Sequence, residues 1–116
     1  MSFVEVARHG AVAVLTLCDP ERRNLLSIEM CSALSEAVAS LSADEEVHAL
    51  IITGADSAFC AGADLSDLEA AAAEDGVSLE PVYRAFLDVA ECPLPTIAAI
   101  NGPAVGAGLN LALACD

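Results

Sequence analysis

A chain of 116 residues makes one domain at most, and a domain of that size buries only about 60 to 70% of the surface its unfolded form exposes. Yet 56% of the residues are apolar and the mean hydropathy is +0.60, so either something covers this chain or part of its fold lies elsewhere. Its 18 acids against 4 bases, with no lysine, repel phosphate backbones and anionic lipid heads. That balance argues against nucleic acid and leaves only Arg8, Arg22, Arg23 and Arg84 to meet an anionic ligand.

The start, Met1-Ser2-Phe3-Val4-Glu5, lacks a basic region followed by an apolar stretch, so no secretory signal is expected. Phe3 to Ala7 and Ala11 to Leu17 are β-rich runs joined at His9-Gly10, which predicts a hairpin entering a buried strand. Asp19-Pro20-Glu21-Arg22-Arg23-Asn24 reads as a polar loop. Ser27 then caps a helix to about Ser42, with Met30, Leu34, Val38 and Leu41 on one face as core. Val47 to Thr53, dominated by Leu50, Ile51 and Ile52, has the pattern of a strand covered on both sides in a parallel sheet, ended by Gly54. Leu65 to Glu74 and Leu79 to Glu91 read as helices, with Gly76 and Ser78 marking a flexible insertion between them. Thr96 to Ile100 is a strand stopped by Asn101-Gly102-Pro103, and Ala107 to Cys115 begins a further helix. This order means α/β layering with right-handed crossovers.

Five cysteines, Cys18, Cys31, Cys60, Cys92 and Cys115, are odd in number, widely spaced and without a Cys-x-x-Cys pair. They suggest neither a metal site nor a disulfide framework, and are expected as reduced thiols in a cytoplasmic setting. Cys92 to Cys115 is uncharged and about as long as a membrane helix, but Pro93, Pro95, Pro103, Asn101 and Asn110 argue against a span.

Two strand-to-helix turns carry the chemistry. In Ala58-Phe59-Cys60-Ala61-Gly62-Ala63-Asp64-Leu65, the backbone N–H groups at the helix start lack helical partners, and Asp64 at the N-cap position holds the first turn while leaving the Ala63 N–H to a ligand. In Asn101-Gly102-Pro103-Ala104-Val105-Gly106-Ala107-Gly108, three glycines permit positive φ or close backbone approach. Taken alone, either turn is equally a plain helix start. Gly106-x-Gly108 lacks the third glycine of a dinucleotide fingerprint, and no P-loop lysine exists.

The two segments, Ala58 to Leu65 and Ile100 to Asp116, resemble the signature segments of the enoyl-CoA hydratase/isomerase (crotonase) family and stand at a similar interval. Asp19-Pro20 to Asn24-Leu25-Leu26, the helix after it and Leu50-Ile51-Ile52-Thr53-Gly54 fit the same order, so the resemblance covers essentially the whole chain. It implies a crotonase-like (ClpP/crotonase) spiral of ββα units, of which residues 1–116 are the amino-terminal, incomplete part of one domain. It implies action on acyl-CoA thioesters, in fatty-acid or related acyl-CoA metabolism. No cofactor is implied beyond coenzyme A as part of the substrate, and a homo-oligomer, trimer or hexamer, is implied for the whole protein.

Carried over residue by residue, the backbone N–H groups of Ala63 and Ala107 form an oxyanion hole that stabilises an enolate. Arg22 and Arg23 meet the phosphates, adenine folds against the backbone near Ala61, and Leu65 and Val105 line the acyl side, with Gly62, Asp64 and Gly106 also along the ligand. Read without the resemblance, the two arginines are equally solvated loop residues. Asn110 stands where a hydratase of the family carries a glutamate, three residues after the second donor, and an amide cannot take a proton from water. By the same resemblance a second glutamate lies beyond Asp116. Two functions therefore stay open: an enzyme acting on acyl-CoA, as lyase or isomerase, and a non-catalytic crotonase-fold protein that binds acyl-CoA or assembles with other subunits.

Overall fold

The computed structural model describes residues 2–73 and 78–116. Strands β1 (Val4–His9) and β2 (Val12–Leu17) form the expected antiparallel hairpin, in register from Val4 opposite Leu17 to His9 opposite Val12. Gly10 makes the reversal at φ +63°, a backbone region that side chains disfavour. Helix α1 (Ile28–Ser42) starts where the sequence places it, because the Ser27 side chain accepts from the Met30 N–H at 3.1 Å.

Strand β3 (Ala49–Gly54) pairs parallel to β2, and β4 (Thr96–Ala98) pairs parallel to β3, giving the order β1-β2-β3-β4. The period-two alternation then decides which side chains form the core. Ala13, Leu15 and Leu17 of β2 lie beside Leu50 and Ile52 of β3, all fully buried, facing Met30, Cys31, Leu34, Val38 and Leu41 of α1. Full burial of each large side chain in these rows contributes about 1.5 to 3 kcal/mol.

Two strand expectations need correction. Ile51 and Thr53 stay half-exposed, so β3 is buried on one face rather than two. β4 holds three residues instead of five, because Asn101 takes over the ladder. Its side-chain oxygen accepts from the Gly54 N–H at 3.0 Å, while the Thr53 hydroxyl donates to the Ala99 carbonyl at 2.8 Å.

Helices α2 (Leu65–Ala72) and α3 (Glu80–Ala90) follow β3, and α4 (Ala107–Ala114) follows β4. α3 packs on α1 through Ala85 and Val89, and α4 packs on α3. Glu74, the expected end of α2, and Gly76 of the expected insertion lie outside the described residues, whereas the Ser78 hydroxyl accepts from the Glu80 N–H at the start of α3. Among the described residues no helix is long and apolar enough to cross a membrane.

Removing the α1 cap tests this account. Ser27→Ala should lower the unfolding free energy by about 1 kcal/mol, read as a shift of the urea midpoint at unchanged slope. An unmoved midpoint would show that the cap does not hold the helix.

Candidate active site

Residues 58–63 form a strip of backbone bonded along both sides. On one side the Ala61 N–H donates to the Arg23 carbonyl at 3.0 Å, and the Leu26 N–H donates to the Gly62 carbonyl at 2.8 Å. On the other, the Phe59 and Cys60 N–H groups donate to the Pro103 carbonyl at 3.1 and 3.2 Å, and the Val105 N–H donates to the Cys60 carbonyl at 3.0 Å. Three loop segments thereby lie side by side as short parallel bridges, Leu26 beside Ala63 and Cys60 beside Ala104.

Two asparagine amides lock the approach to this strip. Asn24, fully buried at φ 58°, shares its amide N–H groups among the carbonyls of Ala55, Ala58 and Phe59 at 3.0, 2.9 and 3.3 Å. Its side-chain oxygen accepts from the Asp19 N–H at 2.9 Å. Asn101 donates to the carbonyls of Asp56 and Ala58 at 3.0 and 3.1 Å. Neither role is visible from the polar-loop reading, since a buried hub and a solvated turn residue look alike in sequence.

The second turn reaches the strip because Gly108 has no side chain: a Cβ there would stand 2.1 Å from the Cys60 carbonyl oxygen. Gly106, at φ 56° and ψ −119°, turns the chain into α4 through a conformation only glycine adopts readily. Ala63 then precedes α2, and Ala107 opens α4. Among the described residues neither the Ala63 N–H nor the Ala107 N–H meets an acceptor.

Ala63 and Ala107 both line one cleft of about 830 Å³, whose wall also includes Arg22, Leu25, Ala61, Gly62, Asp64, Leu65 and Gly106. A chamber of about 190 Å³ shares Ala63, Asp64, Leu68 and Ala107 with the cleft. Leu26, Leu79, Val82, Tyr83 and Phe86 complete its largely apolar wall, with Asp67 and Asn110 as polar members. Leu79, Val82, Tyr83 and Phe86 recur at helical spacing, a stripe the sequence offers, but nothing in the sequence says that this stripe faces the second turn.

Of the residues expected at the site, Arg23 lines neither cavity, and nor does Val105. Val105 is exposed, and its carbonyl oxygen lies against Gly62. Leu65 lines the cleft while remaining 72% exposed. The Ala61 N–H is engaged by Arg23, so what that residue offers a ligand is its carbonyl. Asn110 lines the chamber, and its side-chain amide makes no hydrogen bond among the described residues.

The charges lining the cleft are paired, and one beside it in the chain is open. The Asp64 carboxylate accepts from the Ser66 and Asp67 N–H groups at 2.8 and 3.4 Å, and its second oxygen is bound by the Arg22 guanidinium. Partial burial works against ionisation of Asp64. The Ser66 N–H, the Arg22 fork and charge and the Asp67 N–H outweigh it and hold the carboxyl below the usual carboxylate range. Arg23 is exposed at φ 55° and, among the described residues, is the one arginine without an ion pair.

A sequence model of the enoyl-CoA hydratase/isomerase family matches residues 7–116. The chain belongs to the enoyl-CoA hydratase/isomerase family. It is 52% identical over 118 aligned residues to a probable enoyl-CoA hydratase of Mycobacterium tuberculosis, covering 98% of this chain and 44% of that protein. It is 50% identical to a putative enoyl-CoA hydratase of Thermus thermophilus, covering 92% and 44%. The crystal structure of an enoyl-CoA hydratase/carnithine racemase from Magnetospirillum magneticum superposes with a TM-score of 0.88 at 40% identity, over all of this chain and 45% of that one. The fold is therefore the crotonase fold, and the chain spans a little under half the length of these family members.

Within the family site, Cys60 is fully buried, and burial raises its thiol against the opposing effect of the Gly62 N–H. Burial, then the neighbouring Cys60 and Asp67, pushes Cys31 up to about 12. Neither thiol is poised as a nucleophile, since the thiolate is the reactive form.

Two outcomes follow for this site. Asn24→Ala takes the side-chain donor from the Ala55 and Phe59 carbonyls and one of two from the Ala58 carbonyl, which keeps Asn101, and should cost about 2 kcal/mol or more in urea unfolding; a cost within about 0.5 kcal/mol would remove Asn24 as the hub. Asp64 has a folded value below its unfolded one of about 3.9. Its stabilisation is accordingly present above about pH 4 and lost as pH falls through the lowered value. Asp64→Asn should flatten the acid limb of the stability profile, and an identical limb would refute the assignment.

Proposed function

We propose that this chain forms the oxyanion-binding half of an acyl-CoA site, in which the Ala63 and Ala107 N–H groups hold a thioester oxygen. The observation that carries the reading is that two residues whose N–H groups meet no acceptor among the described residues, from two separate strand-to-helix turns, line the same cleft. A thioester carbonyl gains negative charge as its α-carbon becomes an enolate, and fixed donors aimed at that oxygen stabilise the charged form more than the neutral one. The apolar chamber beside the donors suits an acyl group, and the exposed Arg23, next in the chain to the cleft-lining Arg22, suits the anionic end of the coenzyme. Fatty-acid or related acyl-CoA metabolism, in a cytoplasmic homo-oligomer, is the setting that goes with this reading.

Proton transfer divides this proposal in two. Asn110 offers hydrogen bonds but no titratable group at the chamber wall. This favours, as a second reading, a member that binds acyl-CoA or assembles with other subunits without turning the ligand over. Measuring butyryl-CoA binding and crotonyl-CoA hydration on the same sample separates the two: binding with turnover assigns the enzyme, and binding alone assigns the carrier or scaffold.

Ala107→Pro deletes one donor at the first position of α4, where proline is otherwise tolerated. It should weaken thioester binding by about tenfold, or lower any turnover by about 10²–10³. Unchanged affinity and rate in a variant of native helix content would reject the oxyanion hole.

A further inference from the structure

We propose that the two adjacent arginines serve opposite ends of the ligand. Arg23 takes a phosphate, whereas Arg22 is a positioning residue that acts through Asp64 to keep the oxyanion hole free of uncompensated negative charge. The proposal rests on the acyl-CoA reading above and assigns different work to two residues that are indistinguishable in sequence.

Arg22 is already engaged. Its guanidinium binds one Asp64 oxygen and lies 3.8 Å from Asp19, so gripping a phosphate would mean leaving both carboxylates. Asp64 cannot be left alone without consequence. It follows the donor Ala63 in the chain, and it lines both the cleft and the chamber. An oxygen that gains negative charge at the Ala63 N–H therefore develops it beside a carboxylate, and like charges a few ångströms apart in a partly dry site oppose each other strongly. The Ser66 and Asp67 N–H groups absorb part of that charge, and Arg22 supplies the full positive charge that balances it.

Arg23 has the complementary properties. Its backbone is pinned, with its N–H donating to Pro20 at 3.1 Å and its carbonyl accepting from Ala61 at 3.0 Å. Its side chain is exposed and, among the described residues, without an ion pair. A planar guanidinium on a fixed base, free of carboxylates, is suited to phosphate oxygens. In a chain of net charge −14 Arg23 carries, among the described residues, the one guanidinium not already committed to a carboxylate, and so the one open to a short-range contact with an anion.

Two probes separate these tasks: hexadienoyl-CoA, and hexadienoyl-pantetheine, which carries the same thioester without any phosphate. Affinity is read by titration, and carbonyl polarisation by the downward shift of the thioester C=O stretching band on binding. Arg23→Gln should weaken the CoA thioester by about tenfold and leave the pantetheine thioester bound as before. Arg22→Gln should weaken both probes by a similar factor and shrink the band shift, and Arg22→Lys should restore it. Adding Asp64→Asn to Arg22→Gln removes the charge that needed balancing, so the double variant should recover the band shift.

Loss confined to the CoA thioester in Arg22→Gln, with the band shift intact, would make Arg22 a phosphate ligand and overturn the proposal. Failure of the double variant to recover the shift would overturn it as well. If the unsubstituted chain binds neither probe, the acyl-CoA reading itself fails and takes this one with it.

Discussion

The strip from Ala58 to Ala63 has no freedom to move alone, because its backbone is bonded to residues 23–26 on one side and to residues 103–105 on the other. One segment brings the arginines, another brings the second donor, and the strip itself brings the first. Their spacing is thus set by peptide hydrogen bonds rather than by side-chain contacts. Each such bond contributes only about 0.5 to 1.5 kcal/mol net. Their value to the proposed site is geometric, since a carbonyl held at 2.9 Å by a buried amide cannot drift by the ångström that would change the spacing of Ala63 and Ala107. Asn24 concentrates this constraint in one side chain, joining the Asp19 end of the arginine loop to the Ala55 carbonyl ahead of the strip and the Ala58 and Phe59 carbonyls at its start.

Much of the fold was legible because its signals are local. Ser27 before an apolar stripe gives both the start and the buried face of α1, and the alternation in β2 gives its core face. The two glycine-rich turns were legible for the same reason: they combine strand ends, helix starts and small residues within a few positions. What failed to show was set by tertiary pairing. The early end of β4 depends on Asn101 displacing a ladder bond to Gly54, an event between residues 47 apart. The one-sided burial of β3 depends on what packs against Ile51 and Thr53, and an apolar run carries no information about its neighbours. The same holds at the site, where the pairing of Arg22 with Asp64 spans 42 residues and splits two arginines that composition had grouped.

Electrostatics here works by local cancellation against an unfavourable background. Arg8 and Arg84 are tied to Asp44 and Glu80 at the surface, and Arg22 is tied to Asp64 within the cleft. Exposed pairs of this kind contribute about 0 to 1 kcal/mol each, so their effect on stability is slight. Their effect on the field is larger, because each cation so engaged is withdrawn from ligand capture. Long-range attraction thus cannot draw an anion to this chain, and the anion binding proposed above would rest on short-range contacts.

Gly108 lies against the Cys60 backbone without room for a single carbon, whereas Ala63 and Ala107 offer the proposed site their backbone N–H and nothing chemical from their side chains. The chemistry of such a site is written in the intervals between small residues, while the donors themselves are close to anonymous. A substitution survey of this chain would consequently find its least replaceable positions one or two residues away from the proposed donors. Residues judged by side-chain identity alone would point to the scaffold and pass over the donors.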